Sequence, residues 1–173
     1  MSTLRVPVSG EDHTTGTAQA KFVLVEYGDY QCPHCGLAFP FVKKLLKKHT
    51  TDLQFVFRNF PLQESHPLAM MAAMAAEAAD RQDKFWEMHD MIFKNQKHLS
   101  PDAILGFASK LKLNQNQFGK DLRDQALLSK VEADFEGGLR SGVNGTPTFF
   151  LNGEQVTSYN ETYKSLEALL KEK

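Results

Sequence analysis

Cys32 and Cys35 fall together in the stretch GDYQCPHCG at 28–36 and are the only two cysteines of the 173-residue chain. Two thiols separated by two residues suit three chemistries: half of a zinc site, a structural cross-link, or a redox couple. A structural zinc takes four ligands, and a His pair three to five residues apart usually completes a Cys2His2 set. The six histidines stand at 13, 34, 49, 66, 89 and 98, without such a pair, and no second CxxC exists. No metal ligand is therefore assigned. A structural disulfide closing so short a loop would remove little entropy from the unfolded chain. For a redox couple the short spacing helps, because the second thiol must reach the mixed disulfide that the first one forms.

The neighbouring residues sharpen this. FVLVEYG at 22–28 is β-branched and aromatic, as a buried strand is. From Pro33 to about Lys48 the pattern turns helical, with Phe39, Val42 and Leu46 on one face. Pro33 is a good first helical residue, so Cys32 is expected at a helix N-terminus, where unpaired amides and the dipole favour thiolate over thiol. His34 in the same turn is expected to add a donor or a positive charge. Cys35, one turn further in, is expected to be the resolving thiol.

The remaining elements must hold this stretch in place. LQFVFRNF at 53–60 is a second strand, which makes a βαβ unit with a right-handed crossover and parallel strands. Residues 65 to about 142 read as helices, one of them capped by Ser100 with Pro101 at its first position. Met70, Met74, Met88 and Met91 are read as core filling. TPTFFLNGEQV at 146–156 predicts a hairpin turning at Asn152-Gly153, and NETYKSLEALLKEK closes the chain as a helix with Asn160 as a possible cap. Residues 1–20 read as a polar, loosely held lead-in.

Composition excludes some functions. With 42% hydrophobic residues and 13 Phe the chain can build a globular core, and a net charge of -1 gives no basic field for nucleic acid. The basic run KKLLKKH at 43–49 is read as a solvated helix face. No apolar stretch of signal or membrane-spanning length is present, so membrane insertion is not expected. A cytoplasmic location is expected, with a periplasmic mature form that has lost its signal as the alternative.

EYGDYQCPHC after a strand, a helical block, and GTPTFF more than a hundred residues later together resemble the DsbA-like branch of the thioredoxin superfamily, over roughly residues 20–172. The resemblance implies an α/β thioredoxin fold, βαβ then ββα around a central sheet, formed by residues 21–64 and 143–173, with an all-helical lobe inserted at 65–142. It makes Cys32 the exposed nucleophile, Cys35 the resolving thiol, and Pro33 and His34 the pair that tunes them. It makes Pro147 a cis-proline against the disulfide and gives the Thr146 backbone to the substrate chain. Glu26 becomes a buried acid that can accept the Cys35 proton; alternation along its strand also allows a solvent-facing Glu26. Arg58 as its charge partner is the less favoured arrangement, and Tyr27, Asp29, Tyr30 and His66 are read as packing, loop and helix-start residues.

The expected function is thiol-disulfide exchange with protein or peptide thiols, the Cys32–Cys35 disulfide serving in place of a bound cofactor. An unidentified electron donor or acceptor must restore the pair, and the direction stays open between oxidase, reductase and isomerase. Two alternatives remain: a noncatalytic peptide-binding module with a redox sensor, and a glutathione-dependent transferase or isomerase of small molecules on the same fold.

Overall fold

Two seven-residue strands, β2 (Phe22–Gly28) and β3 (Leu53–Asn59), form the centre of the sheet and pair in parallel from Phe22 opposite Leu53 to Gly28 opposite Asn59. Helix α1 (Pro33–Lys48) is the crossover between them. The computed structural model describes residues 2–171; residue 1 of the lead-in and residues 172–173 of the closing helix lie outside them. Strand β4 (Thr148–Leu151) runs antiparallel to β2 and turns into β5 (Glu154–Gln155) at Asn152 and Gly153. Both turn residues have positive φ, 49° and 85°, as a tight hairpin requires, and Gly153 adopts this without steric cost.

The N-terminal stretch departs from the expected loose lead-in. His13–Gly16 forms β1, antiparallel to β3, which sets the sheet order β1-β3-β2-β4-β5. Three further contacts tie it down. The Leu4 amide donates to the Gly153 carbonyl, the Arg5 amide to Ser141 Oγ, and Arg58 grips Asp12 with Nε–Oδ1 at 2.7 Å and Nη2–Oδ2 at 2.9 Å. Polar composition concealed this edge strand because it is held by backbone pairing and by buried polar contacts of Asp12 and His13 rather than by an apolar face.

Both faces of the sheet are covered, as the near-continuous apolar runs of its parallel strands require. On one face Phe22, Leu24, Phe55, Phe57, Phe149 and Leu151 join the main core with α1 and the helices between β3 and β4. Those are α2 (Ala69–Asp80), α3 (Phe85–Lys94), α4 (Pro101–Lys110), α5 (Gln115–Asp121) and α6 (Gln125–Arg140), with a 3-10 turn at Gln96–His98 after α3. On the other face Val25, Tyr27, Val56, Phe60 and Phe150 pack with Phe135 of α6 and with Leu4 and Val8. The chain closes with α7 (Tyr163–Ala168), whose N-cap is Thr162 rather than Asn160: its hydroxyl accepts from the Ser165 amide at 3.2 Å. Helix α2 begins at Ala69, and the turn before it is tied to the loop that precedes α1: the Leu68 amide donates to Gln31 Oε1 at 2.7 Å.

A buried polar chain joins the helices to the sheet. His13 Nε2 lies 3.0 Å from both Glu77 oxygens, while Asn59 Nδ2 donates to Glu77 Oε1 at 2.8 Å and to Asp134 Oδ2 at 3.1 Å. Removing one member would leave buried partners unsatisfied, so the chain fixes the mutual placement of β1, β3, α2 and α6.

Candidate active site

Cys32 is the N-cap of α1 and Pro33 its first residue; the Cys32 amide donates to the Asp29 carbonyl, and the Gly36 amide to the Cys32 carbonyl. The cysteines are unbridged in this structure. Cys32 is less open than the exposed nucleophile of the expectation, at 3% exposure against 0% for Cys35. The reason is the loop before β4: the Thr146 carbonyl oxygen lies 3.5 Å from Cys32 Sγ and covers it, bringing together residues 114 apart in the chain. The peptide bond between Thr146 and Pro147 is cis.

The two thiols are driven in opposite directions. Cys32 is lowered to about 5, first by the hydrogen bond from the Cys35 thiol, against a smaller opposing effect of burial; the Thr146 side chain and the Cys35 and His34 amides add to the lowering. Those two amides belong to the first turn of α1, so the helix N-terminus acts through individual N–H groups. Burial pushes the Cys35 thiol well up, and its hydrogen bond to Cys32 and the charges of Glu26 and Cys32 push the same way. The His34 ring does not face the sulfur. It is 60% exposed, and its Nδ1 pairs with Glu161 Oε1 at 2.5 Å, so His34 contributes to the site through its amide.

Glu26 is 3% exposed and raised to about 8, chiefly by burial and then by the Cys32 charge. Alternation along β2 puts it on the face of Phe22 and Leu24, beneath α1, and no solvent-facing side exists for it. A cavity of about 50 Å³, room enough for water, reaches it between Val42 of α1 and His89 and Phe93 of α3. Arg58 is not its partner. Arg58 lies opposite Tyr27 in the β2–β3 register, on the other face, and donates to Tyr27 Oη at 3.0 Å as well as to Asp12.

Several residues that the sequence reading treated as packing or left aside hold the site. Asp29, 1% exposed, accepts through Oδ1 from the Gln31 and Cys32 amides at 2.7 and 3.1 Å and through Oδ2 from the Leu62 amide at 2.9 Å; its own amide donates to Cys35 Sγ at 3.4 Å. His66, expected only to start a helix, has Nδ1 2.8 Å from Asp29 Oδ2. Gln96 Nε2 donates to the Tyr30 and Cys32 carbonyls at 2.9 and 2.8 Å, and Gly36 leaves room for it: a Cβ there would meet Gln96 Oε1 at 2.1 Å. Tyr30 Oη lies 2.9 Å from His89 Nδ1. An Asp opening a loop before a helix is a legible turn signal. Gln96, sixty-four residues from Cys32, carries none.

Asp29→Ala is expected to destabilise the protein by about 3 kcal/mol, because the Gln31 and Leu62 amides lose their acceptor and nothing replaces it. Urea denaturation checks this; a change below about 1 kcal/mol would show that the loop holds without the carboxylate.

The thioredoxin family model matches residues 8–172. The chain belongs to the thioredoxin family. Within it the fold is DsbA-like. Bacillus subtilis BdbD in its oxidised form superposes with a TM-score of 0.84 at 22% identity, over 98% of this chain and 96% of that one. The catalytic domain of Proteus mirabilis ScsC gives 0.80 at 21%, over 95% and 89%. Wolbachia pipientis alpha-DsbA2, described as a thiol-disulfide exchange protein, gives 0.76 at 19%, over 92% and 85%. Curated relatives are longer. A Na(+)/H(+) antiporter NhaA 1 of Salinispora arenicola is 44% identical over 159 residues, covering 91% of this chain and 24% of that protein. The NhaA antiporter of Herminiimonas arsenicoxydans is 36% identical over 154 residues, again covering 24% of its length. This thioredoxin-family chain thus spans about a quarter of those proteins, and their named ion exchange is said of them. Among its described residues no helix is long and apolar enough to cross a membrane.

Proposed function

We propose that the chain is a thiol-disulfide oxidoreductase that exchanges disulfides with protein thiols through Cys32 and Cys35. The observation that carries this reading is the placement of Cys32 at the N-terminus of α1, against the cis Thr146–Pro147 bond, with Cys35 buried one turn behind it; this placement drives the two thiols apart, Cys32 down to about 5 and Cys35 well upward. One thiol is poised as nucleophile and leaving group; the other holds its proton until the first has reacted.

In the reducing direction the Cys32 thiolate attacks one sulfur of a substrate disulfide, forms a mixed disulfide and releases the other substrate sulfur as thiolate. Once Cys32 is bound in the mixed disulfide its charge no longer raises Glu26; the ionised form of Glu26 takes the Cys35 proton as Cys35 attacks Cys32 Sγ and releases the second substrate thiolate. The substrate gains two electrons and the chain keeps a Cys32–Cys35 disulfide. In the oxidising direction a substrate thiolate attacks Cys32 Sγ of that disulfide, Cys35 leaves and takes up a proton, and a second substrate thiolate displaces Cys32. Stabilising the Cys32 thiolate stabilises the reduced pair, so this second direction is the favoured one. An electron donor or acceptor of unidentified kind, itself a thiol or disulfide, restores the pair. Thr146, beside Cys32 Sγ and next to the cis Pro147, is the proposed contact for the substrate backbone.

The test is a trap. Cys35→Ala protein, mixed with a peptide disulfide, is expected to accumulate a covalent complex through Cys32, visible by mass spectrometry and released by reductant. The wild-type protein should turn the same peptide over without accumulating it. A noncatalytic binding module would give neither result.

A further inference from the structure

A groove of about 790 Å³ begins at the residues on either side of Cys32. One wall is Pro33, Gly36 and Leu37 of α1; the other is the end of α3 and the 3-10 turn after it, with Phe93, Lys94, Lys97 and His98. The floor is tied to the reacting loop, since Gln96, also in the lining, holds the Cys32 and Tyr30 carbonyls. Leu37 is 44% exposed, one of the few large apolar side chains left open.

The charge of this groove is one-sided. No Asp or Glu belongs to its lining. Lys94, Lys97 and His98 are exposed, and none of them forms an ion pair with another described residue. On the same α1 wall, further from the site, Lys43 pairs with Asp90 at 2.7 Å and Lys48 with Glu167 at 2.5 Å, so acidic partners accompany some of its cations there but none line this groove. In a chain of net charge -1, Lys94 and Lys97, with no acidic residue in the lining, give the groove beside Leu37 a positive wall. The last turn of α3 alone would be complemented by Lys94. Lys97 lies beyond that helix and extends the positive wall along the groove, with His98 beside it as a further polar lining residue.

We propose that this groove selects substrate polypeptides carrying acidic residues beside the reacting cysteine, with an apolar residue seated on Leu37. The inference rests on the exchange reaction above and names its substrate class. The positive wall steers the acidic segment in and holds it in extended form while Cys32 reacts; electrostatic complementarity of this kind acts mainly on the rate of encounter and on the choice of partner.

Two disulfide-bonded peptides of identical length, one with Glu and one with Lys on both sides of the cysteine, serve as probes, with hydroxyethyl disulfide as a small uncharged reference. For the wild-type protein the second-order rate constant is expected to favour the acidic peptide by about tenfold at low salt, and the ratio should fall toward one at 0.5 M salt. In the doubly reversed Lys94→Glu/Lys97→Glu protein the same ratio should fall below one. Reading the ratio within each protein cancels any general loss of activity. A ratio near one in the wild-type protein, a preference for the basic peptide, or a ratio unmoved by charge reversal overturns the groove proposal. Absence of reaction with hydroxyethyl disulfide as well overturns the exchange reading itself.

Discussion

Cys32→Ser protein is expected to exchange disulfides no faster than buffer, a loss of more than about a thousandfold, because removing a covalent nucleophile removes the intermediate and does not merely tune it. The environment of Cys32 makes the loss specific. With its value at about 5, this thiol is roughly 99% ionised at neutral pH. Cys35 is held protonated by burial and by the nearby charges, so it cannot substitute. Alkylation of the reduced protein by iodoacetamide gives an independent readout: its rate should rise through a midpoint near pH 5 in the wild-type protein, and this fast phase should be missing after Cys32→Ser. In Cys35→Ala the midpoint should move upward, because the hydrogen bond contributing most to the low value is gone. Exchange by Cys32→Ser at the wild-type rate would assign the chemistry to another residue.

The central part of this arrangement could be read from the chain because it is local. A β-branched run followed by Cys-Pro specifies a strand that feeds a helix start, and the strand, helix and second strand all appear where their patterns put them. What could not be read depends on groups distant in sequence. Gln96 reaches the Cys32 carbonyl only because α3 packs beside α1, and His66 reaches Asp29 only because the turn before α2 folds back over the loop. The side chain of His34 was legible as a neighbour of the thiols, yet its direction was decided by Glu161, more than a hundred residues away. Strand β1 was missed for a related reason: Asp12 gives no local sign that it will be buried until Arg58 of β3 is seen to claim it. In each case the missing information is a partner, and no periodicity encodes one.

The position of Glu26 has an energetic consequence that the same reasoning makes measurable. An acid whose value rises from 4.5 to about 8 on folding is ionised in the unfolded chain, but not in the native one, throughout that window. Its stabilisation is therefore fully present below pH 4.5 and is lost as pH rises toward 8. The cost amounts to about 3 kcal/mol at pH 7 and about 5 kcal/mol above pH 8. Cys32 acts with the opposite sign over nearly the same range: its folded value is lowered from 9 to about 5, so its stabilisation is present above pH 9 and lost as pH falls through 5. The two slopes oppose each other, and the wild-type profile alone hides both. Comparing reduced Glu26→Gln with the reduced wild-type protein isolates the acid. The variant should match the wild-type protein at pH 4 and exceed it in urea denaturation by about 3 kcal/mol at pH 7. A stability difference that stays flat from pH 4 to 9 would mean that Glu26 ionises normally. The kinetic cost of the substitution falls on the second step: without a carboxylate beside Cys35 to accept its proton the mixed disulfide should persist longer, and because Glu26 ionises only as pH rises toward about 8, the gap from the wild-type protein should be small at about pH 6 and widen toward pH 8.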